Sequence, residues 1–119
     1  MKLRGTYYIL LIERLLEPRQ MNNLIELTTV GEMLKEEFIE AFNLSQNALA
    51  KAIFVPPNRI HQIVNNQRRI TADTDLRLTK YFGLSQGYFL SYQQDYELRM
   101  AKREIKDEID KIQPIKAAS

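Results

Sequence analysis

Apolar residues recur at three- and four-residue steps along most of the chain, and turn-forming residues interrupt this pattern at intervals. Such spacing is typical of short amphipathic helices, whereas buried strand positions alternate. Between residues 29 and 98 the interruptions divide the pattern into five helices. The sequence therefore predicts one all-α domain whose helices share an apolar core, with a further helical extension at the C-terminal end.

The first predicted helix begins at Thr28 or Thr29, which can cap its N-terminus, and carries Glu32 in its first turn. Its predicted buried stripe consists of Val30, Met33, Leu34, Phe38, Ile39 and Phe42. Its solvent side consists of Glu32, Lys35, Glu36, Glu37 and Glu40. Because this side is acidic, we expect it to face away from any bound nucleic acid.

Residues 44–70 predict two short helices joined by a tight turn. Ser45 is a suitable N-cap, and Leu49, Ala50 and Ile53 give the first of these helices an apolar face. We expect Pro56 and Pro57 to close that helix, since proline lacks an N–H group. Pro57 can also occupy the first position of the next helix without losing a hydrogen bond.

The second of these helices presents a polar face. Ile60, Ile63 and Val64 are predicted to point inward, and the residues predicted to point outward are Asn58, Arg59, His61, Gln62 and Asn65. Amides and guanidinium groups are the side chains that read base edges in the DNA major groove. The pattern predicts a helix-turn-helix whose base-reading residues are Asn58, Arg59, His61 and Gln62. For His61, simple exposure to solvent is an equally open interpretation.

The surrounding charge pattern supports this interpretation. No aspartate or glutamate occurs between Ala41 and Ala72, whereas the same stretch contains several basic residues. A surface that meets phosphates is expected to lack carboxylates. The residues predicted to contact phosphates from this stretch are Lys51, Asn65, Arg68 and Arg69. The alternative is that a small helical domain simply has a polar face here.

The next two helices follow from their turn residues. Asn66 can adopt the left-handed conformation needed to turn the chain, and Thr71 caps a fourth helix with Asp73 in its first turn. Gly83 ends that helix, and Ser85 is predicted to cap the fifth. The apolar residues available for packing are Leu76, Leu78, Tyr81, Phe82, Tyr88, Phe89, Leu90 and Tyr92.

From Tyr96 to Pro114 the sequence predicts an amphipathic helix of mixed charge. Its apolar positions are Leu98, Ala101, Ile105, Ile109 and Ile112. This stripe either packs onto its own domain or forms a contact with another subunit or partner. If the protein forms a homodimer, the region expected to contact the second copy contains Tyr88, Tyr92, Tyr96, Ile105 and Ile109.

Residues 1–20 resemble a secretion signal at first, but Glu13 and Arg14 follow the apolar run directly and no small-residue cleavage site appears. Three interpretations stay open: a flexible arm, a partner-binding helix, and an extension upstream of a true start at Met21, which we favour slightly. The predicted organisation is an arm or extension at 1–28, the helix-turn-helix domain at 29–98, and the amphipathic helix and tail at 99–119.

Composition limits the chemistry. The chain of 119 residues has a net charge of +2, one histidine and no cysteine. We therefore expect no zinc or other metal site, no cofactor and no catalytic role. The four glycines form no phosphate-binding loop. No apolar run reaches the length of a membrane span, and a reducing cytoplasm is compatible with the absence of cysteine.

Residues 55–98 make the interpretation more specific. The features are Val-Pro-Pro before the second helix, Arg-Ile at 59–60, Ile-Thr-Ala-Asp-Thr at 70–74, Leu-Arg-Leu at 76–78 and Tyr-Phe-Gly at 81–83, followed by Gln94 and Tyr-Glu-Leu at 96–98. Together they resemble the HigA-type antitoxins, a branch of the phage-repressor-like Xre group of helix-turn-helix proteins. The resemblance extends over residues 29–112.

This resemblance implies a five-helix domain that binds a palindromic operator in double-stranded DNA as a dimer. It also implies that the protein neutralises a HigB-type toxin, a ribosome-associated endonuclease that cleaves mRNA, and represses its own operon. Asn58, Arg59 and Gln62 match the family's DNA-facing positions. Gln46 and Asn47 match positions that meet phosphates.

Three departures from the family pattern stand out. Asn66 occupies a common glycine position, Arg69 a position that often has a small residue, and Tyr88–Phe89 a common Phe–Trp pair. The first two could alter the phosphate-contacting loop. Two alternative functions stay open: a stand-alone repressor of the phage type with no toxin, and a protein-interaction module that does not bind DNA.

Overall fold

The computed structural model describes residues 28–116, so the interpretations of residues 1–20 and of Met21 lie outside the described residues. In the described range the chain forms six helices and no strand, which confirms the all-α prediction. The first, α1, begins as an α-helix at Val30–Met33 and continues as a π-helix at Leu34–Glu40. The others are α2 (Gln46–Ala52), α3 (Pro57–Val64), α4 (Ala72–Phe82), α5 (Tyr88–Glu104) and α6 (Lys106–Lys111).

The core lies where α1 to α5 converge. Its most deeply buried apolar side chains include Leu34, Leu49, Ile60, Leu78 and Phe89. Helix α1 lies so close to α3 that a Cβ atom added at Gly31 would sit 2.2 Å from the carbonyl oxygen of Ile63. Only glycine allows this approach, which fixes α3 against the rest of the domain.

The predicted caps of three helices are confirmed. Thr29 Oγ1, Ser45 Oγ and Thr71 Oγ1 each accept a hydrogen bond from a backbone N–H three residues later. The predicted turn residues are also confirmed, because Asn66 has φ 60° and Gly83 has φ 70°.

The prediction that Ser85 caps α5 is wrong. The residue before α5 is Gly87, in the left-handed conformation, and the capping group comes from α4. The buried Asp75 carboxylate accepts hydrogen bonds from the N–H groups of Gly87 (2.6 Å), Phe89 (2.9 Å) and Leu90 (3.1 Å). A carboxylate with three donors satisfies the free N–H groups better than a local hydroxyl could.

The proline pair does not close α2. That helix ends at Ala52, and the chain reverses at Phe54, which adopts φ 60° although it is not glycine. The Phe54 side chain is 86% exposed. Pro57 does occupy the first position of α3, as predicted. The prolines therefore start the second helix of the motif rather than stop the first.

Phe42 was predicted to be buried, and this is wrong, since 61% of the residue is exposed. The prediction assumed 3.6 residues per turn, whereas the second part of α1 is π-helical and turns less per residue. A stripe placed by α-helical spacing is therefore displaced by the end of α1. Phe42 instead stacks on the ring of Phe82, with centroids 5.7 Å apart.

The C-terminal region also differs from the prediction. The fifth helix and the amphipathic extension form one helix that runs through Glu104, and α6 follows after a break at Ile105. The stripe does not pack onto its own domain, because residues 101–116 are all exposed. The exposed apolar side chains are Leu98, Ile105, Ile109 and Ile112, at 44–69% exposure.

Candidate nucleic-acid interface

Helices α2 and α3 form the predicted helix-turn-helix. Ile60, Ile63 and Val64 are buried against the core, as predicted, so the orientation of α3 about its axis is fixed. Asn58 is exposed, and Arg59, His61 and Gln62 are half-buried at the surface. The structure thus places the four predicted base-reading residues side by side on one short helix.

Arg59 is not a freely extended side chain. Its Nη1 atom donates a hydrogen bond to Asp73 Oδ1 at 3.1 Å, across to the first turn of α4. The side chain is only 24% exposed. Its Nε atom is buried and has no hydrogen-bond partner among residues 28–116. The guanidinium therefore lies along the edge of α3 with one end held by a carboxylate.

The same Asp73 oxygen binds a second guanidinium. Arg77 Nε donates to Asp73 Oδ1 at 2.8 Å, and Arg77 Nη1 donates to the carbonyl oxygens of Ile53 (2.9 Å) and Phe54 (3.4 Å). The hydrogen bond from Arg77, with the charges of Arg77 and Arg59, holds the pKa of Asp73 below its ordinary value. Asp73 is therefore an anion at neutral pH.

His61 joins α3 to the start of α2. Its Nδ1 atom contacts Gln46 Oε1, and its Nε2 atom lies 3.1 Å from Asn47 Oδ1. A neutral imidazole carries one N–H, so it can donate to only one of the two amide oxygens. The structure thus ties a predicted base reader to two predicted phosphate contacts.

The remaining predicted phosphate contacts lie around α3. Lys51 and Asn65 are exposed. Arg68 Nη1 donates to Gln62 Oε1 at 3.5 Å, and the exposed Arg69 forms an ion pair with Glu97 of α5. Arg68 thus lies beside α3 through its contact with Gln62, whereas Arg69 is paired with α5.

Folding brings two carboxylates to this surface. The sequence between Ala41 and Ala72 lacks acidic residues, yet Asp73 contacts Arg59 and Glu97 contacts Arg69. In the sequence, Asp73 is a first-turn charge and both Asp73 and Glu97 belong to the family motifs, but no contact of either with a basic residue is predicted. Asp73 could have been found from Arg77, since an aspartate and an arginine four residues apart share a helix face. No local signal links Glu97 to Arg69.

Similarity to known proteins agrees with this geometry. The model of the helix-turn-helix family matches residues 34–89. The Virulence-associated protein I of Dichelobacter nodosus is 48% identical over 85 residues, which cover 71% of this chain and 78% of that protein. The antitoxin HigA of Pseudomonas aeruginosa, solved with the higBA promoter, is 35% identical with a TM-score of 0.68 over 74% of this chain and 97% of that one. The chain belongs to the HigA-type antitoxin family.

Other HigA-type proteins give the same result. The antitoxin HigA-1 of Vibrio cholerae is 29% identical over 73% of this chain and 82% of its own length. A HigA-family antidote protein from Coxiella burnetii is 39% identical, with a TM-score of 0.67 over 73% of this chain and 96% of that one. The predicted family and the phage-repressor-like fold are therefore confirmed.

Within residues 28–116 of this HigA-type protein, no group of three or more His, Asp or Glu side chains could hold a metal ion. In the same range, no helix has both the length and the apolar composition that crossing a bilayer demands.

Proposed function

We propose that this protein is a sequence-specific DNA-binding antitoxin that represses its own operon and neutralises a HigB-type, mRNA-cleaving toxin. One observation carries the DNA-binding part: the outward edge of α3 presents the exposed Asn58 beside the half-buried Arg59 and Gln62, and the basic side chain of Arg68 contacts Gln62. The HigA of Pseudomonas aeruginosa, of the same fold, was solved with its promoter, which supports the same role for α3.

In this proposal α3 lies in the major groove. Arg59 donates to the O6 and N7 atoms of a guanine, and Asn58 and Gln62 contact neighbouring bases. His61 lies on the same face, and it can read a base edge or meet a phosphate only when one of its ring nitrogens releases Gln46 or Asn47. Because amides pair best with adenine, the helix favours a short mixed sequence over a run of one base.

Phosphate contacts position α3 without reading sequence. The exposed Lys51, Arg68 and Arg69 supply positive charge. Asn65 and the amides of Gln46 and Asn47 supply neutral donors, and the latter two lie at the start of α2.

We further propose that the protein is a homodimer that binds a palindromic operator. Two copies of α3 would then enter successive major grooves about 34 Å apart. The exposed Ile105, at the break after α5, and the exposed Ile109 of α6 supply an apolar surface for a second copy, and the half-buried Tyr96 lies on α5. Tyr88 and Tyr92 pack partly against the core of their own domain, and the Tyr92 hydroxyl donates a hydrogen bond to the carbonyl oxygen of Thr28. Only the exposed edges of their rings are therefore available to the dimer interface.

The role of DNA-bound repressor implies that the protein acts in the cytoplasm, where the operon is. The toxin part of the proposal is supported by family membership. A stand-alone repressor with the same α3 would bind the operator identically, so DNA binding and toxin neutralisation are tested separately.

The first test is a titration of the promoter upstream of the gene, compared with a scrambled duplex, at several salt concentrations. We expect a sequence-specific complex, with affinities for both duplexes that fall as salt rises. The second test is co-expression with the product of the neighbouring reading frame. Relief of growth arrest and co-purification of the two proteins would support the antitoxin role. Promoter binding without either outcome would show that the protein acts as a repressor without a toxin partner.

A further inference from the structure

Asp73 is an unexpected residue on a surface that is proposed to face DNA. Its side chain is 58% exposed and negatively charged, and it lies beside the proposed base reader Arg59. A carboxylate near DNA repels the phosphate backbone and weakens binding of every sequence. An acidic residue in the first turn stabilises α4, but this alone does not explain why the carboxylate lies beside Arg59.

The contacts of Asp73 supply one. A single oxygen, Oδ1, accepts hydrogen bonds from Arg59 of α3 and from Arg77 of α4. Arg77 in turn holds the carbonyl oxygens of Ile53 and Phe54, at the turn between α2 and α3. Through Arg77, Asp73 thus connects the guanidinium of Arg59 both to α4 and to the turn that precedes α3.

We propose that Asp73 is a positioning residue that makes Arg59 selective for guanine over phosphate. This inference rests on the proposed function, because it concerns how the proposed base reader is held. An unrestrained arginine has many rotamers and can follow any nearby phosphate, whatever the sequence. With Nη1 held by Asp73, the guanidinium keeps one orientation. A guanine edge offers two acceptors in one plane. A planar group that is held in one orientation therefore gains more binding energy from a guanine edge than from a phosphate.

The test uses Asp73→Asn, which keeps the side chain's size and an acceptor oxygen but removes the charge. We expect the ratio of operator affinity to scrambled-duplex affinity to fall about tenfold, mainly because the scrambled duplex binds more tightly. We also expect a smaller penalty for replacing the guanine that Arg59 reads. Asp73→Ala, which removes the acceptor as well, should lower the ratio further.

A matched control separates positioning from net charge. Asp95 pairs with Arg99 four residues later at 3.1 Å, just as Asp73 pairs with Arg77, but it lies on α5. Asp95→Asn changes the net charge by the same amount. We expect any gain in affinity to be equal for the operator and the scrambled duplex, so that their ratio stays at the wild-type value.

A second measurement excludes a purely structural role. If Asp73 only stabilised the fold, Asp73→Asn would lower Tm and leave the affinity ratio unchanged, which would overturn the inference. If Asp73 acts through Arg59, Asp73→Asn should have no further effect on the ratio in an Arg59→Ala background. A wild-type ratio in Asp73→Asn, together with a reduced ratio in Arg59→Ala, would overturn this inference alone. No discrimination by the wild-type protein would instead refute the proposed function and this inference with it.

Discussion

Gln93 and Ile70 exchange two hydrogen bonds in the interior of the domain. The N–H of Ile70 donates to Gln93 Oε1 at 2.7 Å, and Gln93 Nε2 donates to the carbonyl oxygen of Ile70 at 2.9 Å. Both residues are buried. Ile70 directly follows Arg68 and Arg69, so α5 fixes the end of the loop that carries two proposed phosphate contacts.

Replacing Gln93 with leucine should destabilise the protein strongly. The N–H and carbonyl groups of Ile70 would lose their partners in a buried site, and each unsatisfied group costs about 1–3 kcal/mol. We expect the free energy of unfolding to fall by about 2–4 kcal/mol in urea titrations. Gln94→Leu, at the exposed neighbouring position, should change it by less than about 0.5 kcal/mol. Equal effects of the two substitutions would contradict the role given to Gln93.

Asp75→Asn should destabilise the junction between α4 and α5. The carboxylate accepts from three backbone N–H groups, whereas an amide offers one oxygen and directs its NH2 group at a donor. We expect a loss of about 2–4 kcal/mol, measured by urea unfolding. Asp107→Asn, an exposed first-turn residue of α6, is the control and should cost less than about 0.5 kcal/mol. An Asp75→Asn variant as stable as wild type would show that backbone capping does not depend on the charge.

Arg59→Ala and Arg68→Ala should weaken DNA binding in different ways. Losing Arg59 should cost about 1–3 kcal/mol of discrimination at one base pair, because a bidentate contact to guanine disappears. Losing Arg68 should weaken operator and scrambled duplexes alike and reduce the salt slope by about 1. Binding titrations on both duplexes at several salt concentrations measure both effects. Unchanged operator preference in Arg59→Ala would refute its role as a base reader.

Ile109→Glu should weaken self-association. Ile109 is exposed on α6, and burying a glutamate in an apolar contact is unfavourable. We expect the dimer dissociation constant, measured by sedimentation, to rise at least about tenfold. Ile115→Glu makes the same change after the helix ends and should leave it unchanged. A dimer that tolerates Ile109→Glu would place the interface elsewhere.

Tyr92→Phe should change the response of stability to high pH. Burial, and then the charge of Glu37, raise the pKa of Tyr92 from 10.0 to about 12. Between these values the unfolded chain loses the phenol proton and the folded chain keeps it, so stability falls as the pH rises. Unfolding titrations across this window should show a smaller fall for Tyr92→Phe than for wild type. Tyr81→Phe, at an exposed position, should retain the wild-type dependence.

Local signals in the sequence determined much of this protein. The hydroxyl caps at Thr29, Ser45 and Thr71 and the left-handed turns at Asn66 and Gly83 depend on one residue and its near neighbours, so they were predictable. The buried positions of α2 and α3 followed from regular α-helical spacing for the same reason. The same spacing gave a wrong prediction where α1 becomes π-helical, because Phe42, predicted to be buried, is exposed.

Tertiary structure decided the groups that approach one another from distant parts of the chain. Asp75 caps α5 from another helix, and Asp73 holds Arg59 across fourteen residues. Glu97 of α5 contacts Arg69 although 28 positions of sequence separate them, so the acid-free stretch of sequence is not an acid-free surface. Periodicity fixes which side of a helix is buried, but only packing fixes which charged side chain of another helix lies beside it.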